Sequence, residues 1–248
     1  MGELSGKVAI VTGASKGIGA AIARAFGKAG AAVAVNYASS KADADRVVSD
    51  IVGAGSKAAA IQADVSRPAD VKRLVSETIA RLGQPSILVN NAGVFSFGPL
   101  EAVTERDFHR QFNTNVLGAI LTTQEAVKAF NDGGGSVINI STISSANPVP
   151  NSLVYSASKS AIDTITRALA NELAAKNVRV NAIAPGMTET EGFAALGLNL
   201  EVAKAMGTHL PMGRLGKPHD IAEVALFLAS DRSGWLTGER ISASGGQR

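Results

Sequence analysis

Short apolar runs alternate with longer amphipathic runs from one end of the 248-residue chain to the other. A near-continuous apolar run is typical of a parallel strand covered on both faces, and an amphipathic run is typical of a helix packed on a sheet. The alternation predicts an α/β fold: a doubly wound parallel sheet of about seven strands with helices on both faces, in a single domain over residues 1–248. The predicted strands are Val8–Thr12, Ala32–Asn36, Ala58–Gln62, Ile87–Asn90, Ser136–Ile140, Arg179–Ala184 and Arg240–Ser242. The predicted helices are Ile18–Ala29, Lys41–Val52, Ala69–Leu82, Glu105–Phe130, Ser156–Ala175 and Asp220–Ala229.

One long segment, Gly186–Gly216, separates the sixth predicted strand from the last predicted helix. It is rich in Gly, Met and Leu, and a loop of this length in a compact domain is commonly a lid or a binding segment. Residues 187–216 are therefore predicted to form a substrate-binding flap within the domain.

The composition excludes several classes of protein. The chain has no cysteine, so it has no disulfide, no thiolate metal site and no cysteine nucleophile. Its three histidines, His109, His209 and His219, lack the spacing of metal ligands, and we expect no bound metal. The net charge is +3 and the basic residues are dispersed, so we expect no nucleic-acid partner. Since the sequence has neither a membrane-length apolar run nor a signal-peptide pattern, we expect a cytoplasmic protein without a membrane partner.

The first predicted strand leads directly into a glycine-rich turn and then a helix. The turn reads Thr12-Gly13-Ala14-Ser15-Lys16-Gly17-Ile18-Gly19. Glycines permit a tight turn and let backbone N–H groups approach a pyrophosphate, while the helix N-terminus attracts phosphate. The strand–turn–helix context favours a dinucleotide site of the Rossmann type over a merely tight βα turn. The predicted cofactor-binding residues of the turn are Gly13, Ser15, Lys16, Gly17, Ile18 and Gly19.

The end of the second strand indicates which dinucleotide binds. A site for NAD usually has Asp or Glu here to accept from the ribose 2′-OH, whereas this chain reads Asn36-Tyr37-Ala38-Ser39-Ser40-Lys41. The Asn and Ser side chains can donate hydrogen bonds to a 2′-phosphate, and Lys16 or Lys41 adds positive charge. We therefore predict NADP(H) as the cofactor. The pair Ser39-Ser40 also suits a helix cap, and the two roles are compatible. The residues predicted to bind the cofactor here are Asn36, Tyr37, Ala38 and Ser39.

Further candidates follow the third and fourth strands, at the sheet edge where ligands of open α/β sheets bind. Asn91, Ala92 and Gly93 follow the fourth strand, and Asp64-Val65 follows the third. Asp64 has two interpretations: it holds the adenine amino group, or it caps the helix that begins near Pro68.

Tyr155 and Lys159 are spaced i and i+4 on a predicted helix, so their side chains lie one above the other. An ammonium group at that distance stabilises a phenolate and is expected to lower the tyrosine pKa from about 10 towards working pH. A lone pair with this spacing is common on helix surfaces and by itself indicates no catalysis.

The order and spacing of several motifs resemble the compact type of the short-chain dehydrogenase/reductase family. The resemblance extends from about Lys7 to Gly246 and is closest to bacterial 3-oxoacyl-[acyl-carrier-protein] reductases and related ketone reductases. It implies an enzyme that moves a hydride between NADP(H) and a ketone or secondary alcohol, and it implies a homotetramer. The motifs are the glycine turn, Asn90-Asn91-Ala92-Gly93, Asn115, the Ser/Thr run at 141–145, Tyr155 with Lys159, and Pro185-Gly186.

The resemblance also implies roles for individual residues. Tyr155 would protonate the carbonyl oxygen during reduction or accept the alcohol proton during oxidation. Lys159 would bind the nicotinamide ribose and lower the pKa of Tyr155, and Asn115 would hold a water beside Lys159. The residues that would position the carboxamide and phosphates are Pro185, Gly186, Thr188 and Thr190.

The chain departs from the family pattern at the residue that binds the substrate oxygen. The family usually has Ser thirteen residues before the tyrosine, and Thr142 stands at that position here. A threonine hydroxyl can donate the same hydrogen bond, although its methyl group narrows the pocket. We predict Thr142 in this role, with Ser144 or Ser141 as alternatives.

Three functions are compatible with the sequence. The first is an NADPH-dependent ketone reductase acting on a 3-oxoacyl thioester or a small ketone, and the second is an alcohol or sugar dehydrogenase working oxidatively. The third is a non-catalytic NADP-binding sensor, which the complete set of Asn115, Tyr155 and Lys159 disfavours. The predicted pocket is apolar, which favours an acyl or aryl ketone over a sugar. Its predicted lining is Val94, Phe95, Phe97, Val149, Leu153, Met187, Phe193, Leu196 and Met206.

Overall fold

A computed structural model describes residues 2–191 and 200–247. In these residues seven strands form one parallel sheet in the order β3-β2-β1-β4-β5-β6-β7. The predicted doubly wound sheet is confirmed. The strands are β1 (Val8–Val11), β2 (Ala32–Tyr37), β3 (Ala58–Gln62), β4 (Ile87–Asn90), β5 (Gly135–Ile140), β6 (Val178–Pro185) and β7 (Arg240–Ala243).

The helices lie between the strands, as the alternation predicts. α3 and α8 each have proline in the first turn, where its missing N–H costs nothing. Thr104 caps α4 by accepting a hydrogen bond from the Asp107 N–H at 3.2 Å. The helices are α1 (Gly17–Lys28), α2 (Lys41–Gly53), α3 (Pro68–Leu82), α4 (Glu105–Phe112), α5 (Gly118–Ala129), α6 (Leu153–Leu173), α7 (Leu200–Gly207) and α8 (Pro218–Ala229).

Two apolar layers enclose the sheet, because successive side chains of a strand point to opposite faces. On one face, Val11 packs with Phe26 of α1 and Ile221 of α8. On the other face, Ile10 packs with Leu74 of α3, in a layer that also includes α5 and α6. All of these side chains are buried, and each contributes about 1.5–3 kcal/mol relative to exposure. The core therefore fixes the sheet edge that carries the candidate site.

The single helix predicted over Glu105–Phe130 is wrong. α4 ends at Phe112, a π-helical segment spans Asn113–Leu117, and α5 begins at Gly118. One wider turn hardly changes the spacing of apolar residues, so the sequence pattern does not reveal it. Such π segments often mark functional sites, and this one contains Asn115.

The segment predicted as a continuous flap is partly helical. α7 occupies Leu200–Gly207, which the sequence pattern missed, and Thr188 pairs with Gly216 so that the ends of the segment meet. The intervening residues 192–199, including the predicted pocket residues Phe193 and Leu196, lie outside the described residues. Whether residues 187–216 act as a flap stays a prediction.

The sheet topology places a crevice between the first and fourth strands. β1 lies between β2 and β4, so the chain leaves β1 towards one side of the sheet and later returns to the other. In open α/β sheets this reversal point, outside the carboxyl ends of the strands, is where ligands bind. The residues after β1 and β4 therefore border the candidate site.

Within the described ranges, no helix has the length and hydropathy needed to cross a bilayer.

Candidate active site

The turn after β1 is built from glycines for steric reasons. Gly13 and Gly17 have φ of +60° and +59°, in the left-handed region that favours glycine. A Cβ on Gly19 would lie 2.3 Å from Asn91 Nδ2 and 2.6 Å from the Gly13 carbonyl oxygen. The start of α1 is thus close to the backbone of the turn, and only glycine permits this approach.

Thr12 and Asn91 fasten this turn to the segment after β4. The Thr12 hydroxyl accepts hydrogen bonds from the N–H groups of Asn91 and Ala92, each at 3.0 Å. The Asn91 side-chain amide donates to the carbonyls of Thr12 at 2.9 Å and Gly13 at 3.0 Å. The glycine turn and residues 91–93 therefore form one rigid wall of the crevice.

Asn36 has a different environment from the one predicted. Its side chain is buried, accepts a hydrogen bond from Gly13 N–H at 3.1 Å, and donates to the carbonyls of Ile61 at 3.3 Å and Ala63 at 3.1 Å. These three contacts join the glycine turn to β3. Because they use both ends of the amide, the predicted hydrogen bond from Asn36 to a 2′-phosphate is not favoured by this geometry.

The remaining candidates for phosphate binding are nearer the surface. Lys16 and Ser39 are exposed, Ser40 is half-buried, and Lys41 forms an ion pair with Asp45 at 2.6 Å. Ser15 and Ile18 are partly exposed in the turn, whereas the Tyr37 side chain is buried and Ala38 is exposed. Lys16 and Ser39 thus lie at the open side of the turn, where an anionic group has access.

Asp64 accepts local hydrogen bonds after β3. Its Oδ1 accepts from the Ser66 N–H at 3.0 Å and the Ser66 hydroxyl at 2.7 Å, and Val65 beside it is buried. The residue preceding α3 is Arg67. Asp64 therefore stabilises the turn before α3 instead of capping the helix itself, and an adenine contact stays a prediction.

The segment after β6 returns to the glycine turn. The Thr188 hydroxyl donates to the Gly186 carbonyl at 2.9 Å, which tightens the turn after Pro185. A Cβ on Gly17 would lie 3.5 Å from Thr190 Cγ2, so Thr190 stands opposite the start of α1. The predicted cofactor residues on the two segments are thereby brought to one crevice.

Tyr155 and Lys159 lie on the first half of α6. Lys159 is buried, and its Nζ donates to the Ile140 carbonyl at 2.7 Å. Burial lowers the pKa of Lys159 to about 8, while the negative charge of Asp163 opposes this shift. The ammonium group thus has a pKa close to physiological pH and is anchored beneath the end of β5.

Thr142 affects the ionisation of Tyr155. Burial raises the pKa of Tyr155, and a hydrogen bond with the Thr142 side chain lowers it in part. The expectation that Lys159 lowers this pKa towards working pH is wrong in this structure, because desolvation of the phenol outweighs the other effects. Of the three predicted hydroxyls, Thr142 is the one with a resolved effect on the pKa of Tyr155. Ser144 instead donates its backbone N–H to Thr142 Oγ1 at 3.3 Å, and Ser141 is buried.

Asn115 positions the segment after β4 from the π-helical segment. Its Oδ1 accepts from Val94 N–H at 2.8 Å, and its Nδ2 donates to the Val94 carbonyl at 2.9 Å and to the Ser158 hydroxyl at 3.0 Å. A Cβ on Gly93 would lie 3.4 Å from Asn115 Oδ1 and 3.5 Å from Lys159 Nζ. Asn115 and Lys159 therefore face each other beside Gly93.

An aromatic cluster borders Tyr155. The rings of Phe95 and Phe97 lie 6.1 and 5.7 Å from the Tyr155 ring, and 5.9 Å from each other. Phe97 is 41% exposed, so this cluster presents an apolar face to solvent. Aromatic rings at such separations pack favourably against one another, so the cluster forms an apolar border beside the tyrosine.

The sequence patterns did not reveal Asp163, Ser145 and Arg240, which contact one another behind Thr142 and Lys159. The sequence signal that could have revealed this group is the presence of charged residues in predicted packed elements, Asp163 in the helix that carries Tyr155 and Arg240 in the last strand. Among the described residues, no three His, Asp or Glu side chains are grouped as metal ligands.

Comparisons with known proteins agree with this geometry. A family model described as enoyl-(acyl carrier protein) reductase matches residues 13–248. Versicolorin reductase 1 of Aspergillus parasiticus is 41% identical over 98% of this chain and 97% of its own length. Two solved structures are also similar. The angucycline C-6 ketoreductase LanV with bound NADP is 36% identical with a TM-score of 0.92, covering 99% of this chain and 96% of that one. A short-chain dehydrogenase/reductase of Serratia marcescens is 37% identical with a TM-score of 0.91, covering 98% of each chain.

The identities and coverage extend over almost the whole chain, and the two solved structures share its fold. The chain is an oxidoreductase that acts on carbonyl or alcohol groups. It belongs to the short-chain dehydrogenase/reductase family.

Proposed function

We propose that this protein is an NADPH-dependent ketone reductase in which Tyr155 donates a proton to the carbonyl oxygen. The observation that carries the proposal is the placement of Tyr155 and buried Lys159 one helical turn apart on α6, with Lys159 Nζ held by the Ile140 carbonyl at 2.7 Å and 3.5 Å from where a Cβ on Gly93 would lie. A phenol held in this way beside a dinucleotide turn has the arrangement that proton transfer to a bound carbonyl requires.

The residues around the crevice fit a dinucleotide. The left-handed glycines and the close approach of Gly19 leave backbone where a side chain would otherwise lie, as a pyrophosphate site needs. Bound NADPH would supply the hydride that attacks the carbonyl carbon. Lys16 and Ser39 support the preference for NADP over NAD, because they are exposed at the open side of the turn and no carboxylate ends β2.

Proton donation to a carbonyl needs a protonated phenol. Burial raises the pKa of Tyr155 from its ordinary value of about 10, so the phenol carries its proton near neutral pH. The reductase names of two related proteins support the reductive direction.

The substrate class that we propose is a ketone with an aromatic or extended apolar group. Phe95 and Phe97 form an aromatic wall beside Tyr155, and Val149 and Leu153 are more than half exposed. A free sugar would bury its hydroxyl groups against this wall without partners. One related protein is named a ketoreductase and another a versicolorin reductase, which agrees with a ketone substrate.

A substrate panel tests the proposal. NADPH oxidation is measured with an aryl ketone, a 3-oxoacyl thioester, an enoyl thioester and a ketose, and NADP⁺ reduction with secondary alcohols and sugars. We expect turnover of the aryl ketone, and a lower KM for NADPH than for NADH. Activity confined to the enoyl thioester or to sugar oxidation would contradict the proposed reaction, and an NADH preference would contradict the proposed cofactor.

We also propose that copies of this chain associate, in line with the homotetramer that the family resemblance implies. Two large apolar side chains of α4 and the π-helical segment are exposed, Phe108 at 40% and Leu117 at 39%. Exposed apolar patches commonly mark contacts between proteins. Light scattering coupled to size exclusion tests this, and a monomeric mass at micromolar concentration would contradict it.

A further inference from the structure

The most buried ion pair among the described residues lies directly behind the candidate catalytic groups. Arg240, the first residue of β7, donates from Nε to Asp163 Oδ2 at 2.9 Å. The two side chains are 21% and 9% exposed. Asp163 is on α6, one helical turn beyond Lys159. The pair therefore links the edge of the sheet to the helix that carries Tyr155.

Arg240 also holds the backbone of Thr142. Its Nη2 donates to the Thr142 carbonyl at 3.0 Å, and its Nε is 3.2 Å from the Ser145 hydroxyl. The Ser145 hydroxyl contacts the same Thr142 carbonyl at 2.8 Å and also contacts Asp163. Two groups thus hold the carbonyl of Thr142, the residue whose side chain affects the pKa of Tyr155.

We propose that Asp163 and Arg240 are positioning residues for the proposed reaction: Arg240 fixes the backbone of Thr142, and Asp163 anchors Arg240 and places a carboxylate one helical turn beyond Lys159. The inference rests on the proposed role of Tyr155. It assigns the two residues an effect on chemistry beyond holding the fold together.

The environment of Lys159 explains why a carboxylate is needed there. The groups near its ammonium are the Ile140 carbonyl on β5, Asn115 on the π-helical segment, which lies on the other side of Gly93, and Asp163 on α6. Among the described residues, Asp163 is the charged group with a resolved effect on Lys159. Burial favours the neutral amine, so a nearby negative charge is required to retain the proton.

The charge of Asp163 is only partly offset by Arg240. Asp163 Oδ2 faces Arg240 and Ser145, whereas Oδ1 is buried and has no hydrogen-bond partner among the described residues. Charges interact strongly where water is excluded. Removing Asp163 therefore makes the surroundings of Tyr155 and Lys159 more positive, and removing Arg240 makes them more negative.

These opposite changes in charge give a signature that a purely structural role would not give. Both the phenol and the ammonium lose a proton on titration, and a more positive environment favours that loss for either group. We expect Asp163→Asn to lower the pKa of Tyr155 and Arg240→Gln to raise it, because Lys159, with a pKa of about 8, has already lost its proton at the pH where the phenol titrates. Ser145→Ala removes a hydrogen bond without a change in charge and should leave the pKa in place.

The experiment is a spectrophotometric titration of tyrosine ionisation at 295 nm, which needs no substrate. The chain has two tyrosines, so the matching Tyr155→Phe variant supplies the blank for each titration. Arg24→Gln is the matched control, because Arg24 forms an exposed ion pair with Asp50 at 2.7 Å far along α1. Circular dichroism checks that each variant is folded. If Arg240→Gln does not fold, Arg240→Lys is used in its place. Because Arg240→Lys keeps the positive charge, we expect it to lower kcat without shifting the pKa of Tyr155.

Activity is the second readout. We expect kcat to fall about 10- to 100-fold in Asp163→Asn, Arg240→Gln and Ser145→Ala, and to stay unchanged in Arg24→Gln. Shifts of the Tyr155 pKa in the same direction for Asp163→Asn and Arg240→Gln, or no shift in folded variants, would overturn the proposal. If the unmodified protein is inactive with every substrate, the proposed function is wrong. The titration needs no substrate, so its result tests the roles of Asp163 and Arg240 separately from the proposed function.

Discussion

Replacing Gly19 with alanine tests whether the turn after β1 has the shape that a dinucleotide site needs. The added Cβ would lie 2.3 Å from Asn91 Nδ2 and 2.6 Å from the Gly13 carbonyl oxygen. The Asn91 amide has little freedom to move away, because it donates to the carbonyls of Thr12 and Gly13. The backbone of the turn must therefore shift, or those hydrogen bonds must break.

The expected cost follows from these contacts. Overpacking a tight site costs about 1–3 kcal/mol, and each broken hydrogen bond adds about 0.5–1.5 kcal/mol. The better helix propensity of alanine returns about 1 kcal/mol. If both Asn91 hydrogen bonds break, Gly19→Ala should thus lower the free energy of unfolding by roughly 1–5 kcal/mol.

Gly53→Ala is the matched control for this change. Gly53 is the last residue of α2, and a Cβ there would meet no atom within 4 Å. Alanine should leave the protein unchanged or stabilise it by up to about 1 kcal/mol. The two substitutions add the same methyl group and differ only in what that group meets.

Urea unfolding and NADPH titration by fluorescence measure both effects. We expect the Kd for NADPH to rise at least about tenfold in Gly19→Ala, equivalent to about 1.4 kcal/mol, and to stay within twofold in Gly53→Ala. A Gly19→Ala variant that binds NADPH as tightly as the unmodified protein would refute the assignment of this turn to the cofactor.

Three further predictions concern single residues. Thr142→Val should lower kcat about 10- to 100-fold, because it loses the hydroxyl that interacts with Tyr155. Thr142→Ser keeps a hydroxyl and should retain at least half of the kcat. Equal rates for the two variants would show that the hydroxyl has no part in the mechanism. Asn36→Ala should lower the free energy of unfolding, measured in urea, by about 1–3 kcal/mol. The substitution removes the hydrogen-bond partner of the Gly13 N–H and of the Ile61 and Ala63 carbonyls. An unchanged free energy of unfolding would contradict this prediction. Lys159→Met should abolish turnover yet stabilise the fold near pH 7. The lysine has a pKa of about 10.5 in the unfolded chain and of about 8 in the folded protein. The unmodified protein therefore gains stability as the pH rises from about 8 to about 10.5, because the folded state has already released the proton that the unfolded state still holds. Urea unfolding at pH 7 and pH 10 should show the advantage of Lys159→Met shrinking at the higher pH, and a constant difference would contradict the lowered pKa.

The sheet could be predicted from the sequence because parallel strands covered on both faces are nearly continuous apolar runs. Each predicted strand is present, with ends that differ by a residue or so. The break at Asn113–Leu117 was not predictable in the same way, because a π turn keeps the apolar pattern while changing the direction of one side chain. Helix α7 was missed because it has only eight residues and lies within the long segment that was interpreted as a flap.

The sequence predicted those parts of the candidate site whose geometry depends on residues close together in the chain. The glycine turn and the spacing of Tyr155 and Lys159 are of this kind, since both depend on neighbours in sequence. Asn36 and Arg240 are not, because their partners are distant in the chain. Asn36 donates to carbonyls about 25 residues away, and Arg240 reaches Thr142 from 98 residues away.

The measurement that tests the central claim most directly compares turnover and cofactor affinity in Tyr155→Phe. This variant keeps the ring that contacts Phe95 and Phe97 and removes only the hydroxyl group that Thr142 contacts. We predict that kcat with an aryl ketone falls by about 10²- to 10⁴-fold while the Kd for NADPH stays within twofold. A variant that reduces the ketone at the original rate would show that the proton comes from another group, and the proposed mechanism would be wrong.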